Sequence, residues 1–154
     1  MAIDIIDERL IEVLQENARI SISELSKRIN LSLSAVSDRL KKLENSGLIK
    51  QYTTIIDPVM MDKNLSALVM ISIDNPLMAT EFTKFTTENP DVLSCTRIAG
   101  NYDYVMTVCT KNQSTLQALL DKLKSIKSIK RVEASLLLND IKKRYSVPPV
   151  AQKE

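Results

Sequence analysis

The sequence predicts an α+β chain, with helices gathered at the N-terminus and strands and helices mixed behind them. Three observations predict it. Over residues 3–46, apolar residues recur at helical spacing, interrupted twice by serine start signals. From Leu65 onward the pattern shifts to β-branched and apolar runs bounded by turn residues. Those later segments follow the order β, α, β, β, α, β. Together they give an N-terminal helix-turn-helix domain plus a C-terminal βαββαβ ferredoxin-like sandwich. The expected boundaries are 1–48 for the helical domain and 49–63 for a linker strand and hinge. The sandwich takes 64–141 and a C-terminal tail 142–154.

The first helix is expected over 4–17, where Ile3, Ile6, Leu10, Val13 and Leu14 form one apolar stripe. Ser21 followed by Glu24 is a capping-box pattern that starts a short second helix through Leu25 and Ile29. That helix stops near Asn30. Ser32 is the next N-cap, and the third helix runs to about Ser46. Gly47 then suits the left-handed position that ends it.

The third helix is the informative one. Val36, Leu40 and Leu43 share one face, while Ser34, Asp38, Lys41 and Asn45 occupy the opposite face with Lys42 beside it. The short side chains Ser34, Ala35 and Ser37 near its start let such a helix sink into a groove. These are the properties of a helix that reads the major groove of double-stranded DNA. Asp38 could accept from a cytosine amino group and Lys41 could donate to guanine. Lys27, Arg28, Ser32 and Lys42 are placed for phosphates, which position a protein without reading sequence. A three-helix bundle with a solvated polar face would show the same pattern. The segment that follows favours the DNA reading. Leu48–Ile56 is rich in β-branched residues and ends at Asp57-Pro58, so a strand is expected directly after the third helix, as a wing or as a lead into the second domain.

Composition excludes several chemistries. The chain has 154 residues, 44% hydrophobic and 26% charged, as an ordinary globular protein has. No apolar run approaches the roughly 20 residues of a membrane span. The start Met1-Ala2-Ile3-Asp4 does not resemble a signal peptide, so a cytoplasmic protein is expected. With no histidine, Ser-His and Cys-His nucleophilic pairs and histidine metal ligands are excluded. Two cysteines make no zinc site, and two glycines make no phosphate-cradling loop. No cofactor, no metal and no enzymatic activity are expected. The net charge is only +2, but it is unevenly spread. Residues 1–20 hold five acids against two bases, and residues 21–50 hold six bases against three acids. A basic patch beside an acidic helix suits a phosphate-binding face, or a mixed solvated surface.

In the second domain, strands are expected at 65–73, 92–99, 104–110 and 131–141, and helices at 77–88 and 114–126. Met78, Phe82 and Phe85 face the core from the first of these helices. Leu116, Leu119, Leu120, Leu123 and Ile126 do so from the second. Helices then cover one face of an antiparallel sheet. The other face carries apolar residues that need a partner, so sheet-to-sheet dimerisation is expected. If residues 100–103 form a four-residue loop, Cys95 faces Val108 and Cys109 faces Ser94. The two sulfurs then lie on opposite faces and no disulfide forms. The tail is basic at Lys142-Lys143-Arg144 and carries Pro148-Pro149.

With these elements in order, the chain resembles the Lrp/AsnC family of transcription regulators, also called feast/famine regulators. The resemblance rests on three stretches: Ile20 to Arg28, Arg39 to Ile49, and Gly100-Asn101-Tyr102-Asp103-Tyr104, which matches the family's G-x-[YF]-D turn. It covers nearly the whole chain. It implies a helix-turn-helix domain and an amino-acid-binding domain that dimerises through its sheet, with dimers often joined into octamers. It also implies a small effector, usually an amino acid, at Gly100, Asn101, Tyr102 and Asp103 together with Val132, Ala134 and Leu136. The family often has a threonine near Ala134 and a hydroxyl residue at the place of Ala99; their loss leaves an effector fewer side-chain partners. Asp103 stays open between an effector contact and a turn residue bonding the backbone. A DNA binder without any effector is the milder alternative. Sirohaem decarboxylases look like these regulators, but they rely on histidines that this chain lacks.

Overall fold

A computed structural model of the protein describes residues 3–74 and 79–149. Contacts divide the chain into two compact units, one of Met1–Thr54 with Lys142–Glu154 and one of Ile55–Ile141. The division falls inside the expected linker and groups the tail with the helical unit.

The helical unit holds α1 (Ile5–Glu16), α2 (Ile22–Ile29) and α3 (Leu33–Asn45). Each start is capped by the residue that the sequence marks or by its neighbour. The Asp4 carboxylate accepts from the Asp7 N–H at 2.8 Å, and the Ser21 and Ser32 hydroxyls accept from the Glu24 and Ala35 N–H groups at 3.1 and 3.2 Å. The expected capping box at Ser21 is only half made, because the Glu24 carboxylate faces Arg28 at 3.9 Å instead. Gly47 takes φ +74° just past α3, as its position predicts. Leu10, Leu25, Ile29, Val36 and Leu43 form the buried core of this unit. At the chain's far end, the Gln15 side chain donates to Ser146 Oγ at 3.1 Å and to the Val147 carbonyl at 2.7 Å, tying tail to α1.

The expected linker strand does not form. Residues 50–57 are irregular and exposed, followed by a single 3-10 turn at Val59–Met61. A strand exists only when its backbone pairs with a neighbour, and β-branched composition cannot supply one. Leu48, Tyr52, Ile55, Ile56, Val59, Met60 and Met61 are left as a run of exposed apolar side chains.

The second unit has β1 (Leu65–Ile73), α4 (Thr80–Glu88), β2 (Val92–Arg97), β3 (Tyr104–Thr110), α5 (Gln113–Ser125) and β4 (Ile129–Leu136). The expected start of α4 at 77, with Met78, lies outside the described residues. The sheet order is β2-β3-β1-β4, and all its pairs are antiparallel. Ala67, Val69, Ile71, Met106 and Val108 pack beneath Phe82, Leu116, Leu119, Leu123 and Ile126 as the core. The residues between them on β1 and β3, Leu68, Met70, Val105 and Thr107, are half-buried on the face opposite that core.

Two strand expectations need correction. The last strand ends at Leu136, not Ile141. Ala67 pairs with Leu136, and the Leu137 N–H reaches Ser66 O at 2.9 Å. Because β1 begins at Leu65, the β1–β4 ladder runs out there, and the Leu138 and Ile141 side chains are exposed. The β2–β3 register is also shifted by two. Arg97 pairs with Tyr104 and Cys95 with Met106, because the connecting loop holds six residues, not four. A shift of two preserves the face. Cys95 shares a side with the core residue Met106, while Cys109 pairs with Ser66 on the opposite side, and both thiols are free.

Candidate functional site

Helix α3 is built from its turn outward. Asn30 ends α2 in the left-handed conformation (φ 59°, ψ 48°). The Ser26 hydroxyl donates to the Leu31 carbonyl and the Leu31 N–H donates to Ser26 O at 3.1 Å, so the turn is closed from both sides. Ser32 then caps α3, whose buried Val36 and Leu43 fix its rotation. Arg39 fixes it further. Its Nη1 donates to Asp4 Oδ2 and to the buried Asp7 Oδ1, each at 2.6 Å. The Asp7 N–H, and after it Arg39, hold the Asp4 carboxyl below its ordinary value. The same two carboxylates raise the Arg39 guanidinium. Arg39 is thus a strut between α3 and the start of α1.

With α3 so oriented, Ser32, Ser34, Asp38, Lys41 and Lys42 are exposed, and Ala35 and Ser37 are half-buried. Lys27 and Arg28 are exposed on α2. Arg28 meets Glu16 at 3.5 Å in a solvated pair that a phosphate can replace at little cost. The residues the sequence marks for DNA therefore share the surface of the α2–α3 turn and the outer side of α3. Two others were not foreseen. Leu33 opens α3 with a 55% exposed side chain. Tyr52 donates its hydroxyl to Glu44 Oε1 at 2.9 Å; burial first, and then this carboxylate, push the phenol up to about 12.

In the second unit, the turn between β2 and β3 is stitched to β1. The Asp103 carboxylate accepts from the Ile73 N–H at 2.8 Å, and the Asp103 N–H donates to Ile71 O at 2.9 Å. The Ser72 hydroxyl reaches the Asn101 carbonyl at 3.4 Å. Gly100, at φ +149°, gives the turn a conformation that other residues rarely adopt. Asp103 thus supports the backbone where the β1–β4 register slips, between Ser72 and Ile73. Beside it lies a concavity of about 520 Å³ lined by Ser72, Ile73, Asp74, Asn101, Asp103, Lys130 and Arg131. Lys130 faces Asp74 at 3.6 Å with both side chains well exposed. Arg131 sits 5.2 Å over the Tyr102 ring and pairs with Glu133. Hydrogen bonding to Glu133 raises the Tyr102 phenol, and the same bond lowers the Glu133 carboxyl.

The fold does not bring Val132, Ala134 and Leu136 to this concavity. They pair with Ile71, Val69 and Ala67 and so lie on the helix-covered face, while their neighbours Lys130 and Arg131 line the concavity. Among the described residues no group of His, Cys, Asp or Glu could hold a metal ion, and no helix is long and apolar enough to cross a membrane.

A capped helix-turn-helix joined to a βαββαβ sandwich defines a DNA-binding transcriptional regulator with a ligand-binding domain. Residues 3–50 match the winged helix-turn-helix DNA-binding family, and residues 66–147 match the Lrp/AsnC ligand binding domain. The chain belongs to the Lrp/AsnC family. It is 32% identical over 149 residues to the transcriptional regulator AzlB of Bacillus subtilis, covering 95% of each chain. A transcriptional regulator from Neisseria meningitidis, solved as an L-Met complex, superposes with a TM-score of 0.88 at 32% identity, over 94% of this chain and 96% of that one. The feast or famine regulatory protein from M. tuberculosis complexed with L-methionine gives 0.83 at 29% identity, over 96% of this chain and 100% of that one.

Proposed function

We propose that the protein binds a roughly palindromic DNA site as a homodimer, placing α3 of each protomer in successive major grooves. In this reading Ser34, Ala35, Ser37, Asp38 and Lys41 meet base edges, and Lys27, Arg28, Ser32 and Lys42 meet phosphates. The observation that carries it is the two-sided character of α3: Val36 and Leu43 are buried, while the side facing away is polar, exposed and free of large apolar residues beyond its first turn. The half-buried Leu68, Met70 and Val105 on the face opposite the core, with the exposed apolar linker, support sheet-to-sheet dimerisation. Dimers then assemble further, to an octamer. The protein works in the cytoplasm, where its DNA is. It acts as a regulator and not as an enzyme; a sequence without histidine supports that.

The dimer is modulated by a free amino acid held at the concavity beside Gly100–Asp103. Asp74 and the Asn101 carbonyl suit an α-ammonium group, and Lys130 and Arg131 suit an α-carboxylate. The methionine complexes of the two solved relatives support this class of ligand. A thermal-shift screen against the twenty amino acids tests it. A ligand present at about 100 times its Kd stabilises by about 2.7 kcal/mol. A hit whose shift is lost in Lys130→Ala supports the reading, and no shift with any amino acid removes the effector. If amide shifts from the bound ligand cluster at Val132, Ala134 and Leu136 instead, the pocket lies on the other side of β4.

A further inference from the structure

We infer that Leu33 determines specificity by packing against the C5-methyl group of a thymine, an inference that rests on α3 being the helix that enters the major groove. Leu33 is 55% exposed and belongs neither to the core of its unit nor to the side chains packed on that core. An apolar residue at a helix start usually fixes the entry of the chain. Here that work is done by Leu31, which precedes the Ser32 cap and packs with the cluster that contains Val36. Leu33 thus stands outside the packed core and offers more than half of its side chain to solvent.

Its place gives it another use. Long helical side chains lean toward the N-terminus of their helix, so Leu33 covers the opening turn of α3. That turn is the part of a reading helix that meets base edges. It carries no acidic or basic residue, its two hydroxyls lie 3.1 Å apart with Ser32 Oγ also accepting from the Ala35 N–H, and Leu33 is its one large exposed side chain. In the major groove thymine alone presents an apolar group, its methyl. A large apolar side chain at this spot rewards thymine and leaves the polar edges of the other bases without a partner.

The test uses the full chain. A preferred duplex is selected from random DNA, and each thymine in it is replaced in turn by deoxyuridine, which removes only the methyl. Affinities are measured by fluorescence anisotropy. Wild-type protein is expected to lose about fourfold at one position of each half-site, the worth of one buried methyl. Leu33→Ala is expected to bind the parent duplex weaker by a similar factor and to be indifferent to deoxyuridine there. Leu33→Met keeps the discrimination. Should Leu33→Ala melt lower than wild type, Leu33→Gln, of similar length and helix preference, is read in its place. Lys41→Ala is measured alongside. If Lys41→Ala weakens binding but no thymine shows a methyl effect that Leu33→Ala abolishes, the inference on Leu33 is overturned while the reading of α3 stands. If Lys41→Ala and Leu33→Ala both bind as wild type does, the reading of α3 falls and takes the inference with it.

Discussion

Replacing Arg39 by methionine separates fold from recognition on α3. The guanidinium lies 2.6 Å from Asp4 and 2.6 Å from Asp7. The Asp4 side chain is 51% exposed, so its half of the interaction is worth little. The Asp7 side chain is only 6% exposed, and losing its cation leaves a buried carboxylate unpaired. That costs about 3–5 kcal/mol for a fully buried pair. Arg39 itself remains 30% exposed, which brings the expected cost down to about 2 kcal/mol. In a unit of this size 1 kcal/mol moves the midpoint by about 4–8 °C, so the helical unit should melt about 8–16 °C lower. Scanning calorimetry or circular dichroism measures it, and Asp4→Asn, the exposed arm, should cost under about 1 kcal/mol. An Arg39→Met protein that melts like wild type but has lost DNA affinity would overturn the assignment of Arg39 as a strut. Arg39 would then be a DNA contact and not a strut.

Other consequences follow from the same contacts. Asp103→Ala strands the Ile73 N–H, which the carboxylate now accepts at 2.8 Å, and should destabilise the sandwich by about 1–3 kcal/mol; Asp103→Asn, which keeps an acceptor, should cost about half as much or less in urea unfolding. The Tyr52 phenol is raised to about 12, so its contribution to stability is complete below the unfolded value near 10 and is lost as pH rises from there through 12. Ultraviolet titration should find a tyrosine ionising near pH 12 that is absent in Tyr52→Phe. The Asp4 carboxyl is lowered, so its contribution is present above about pH 4 and fades as pH falls below that value; an acid titration of Asp4→Asn should show a shallower loss there than wild type. Alanine at Lys27 or Lys42 should weaken binding to every duplex alike and flatten the dependence of log affinity on log salt by about one unit each. A change in base preference at Lys42 would move that residue to the reading class.

Much of this was legible in local chemistry. Ser21, Ser32 and Gly47 mark helix ends because capping depends only on neighbours within a few residues. The exposed face of α3 follows from spacing alone. What the sequence hides depends on partners far along the chain. The stretch Leu48–Ile56 has strand composition, yet no strand among the described residues pairs with it. The β2–β3 loop is longer than its turn residues indicate, because the Ile98 N–H donates to Asp103 O at 2.8 Å inside it and Arg97 is left to close the ladder. The facing of β4 is masked by the unbroken apolar run Ala67 to Ile71, which gives no sign of which side of β1 meets the helices. Once Val69 is known to face the helices, its partner Ala134 must as well, and Lys130 and Arg131 are freed for the turn. Leu33 gives no signal of its exposure: at i, i+3 and i+7 with Val36 and Leu40 it falls on the apolar side of the helical wheel, and only its place at the very start of α3 leaves it 55% exposed.

Everything proposed for the helical unit stands or falls with the outer face of α3 reading DNA. The most direct measurement is selection of binding sites from random duplexes by the full-length protein, followed by affinity measurement of Lys41→Ala and Ser34→Ala on the selected sequence. The expected result is a palindromic consensus whose half-sites are one helical turn, or a multiple of it, apart, with a loss of about 1–3 kcal/mol when Lys41 is replaced. A consensus without symmetry, or one bound equally well when both residues are replaced, would contradict it.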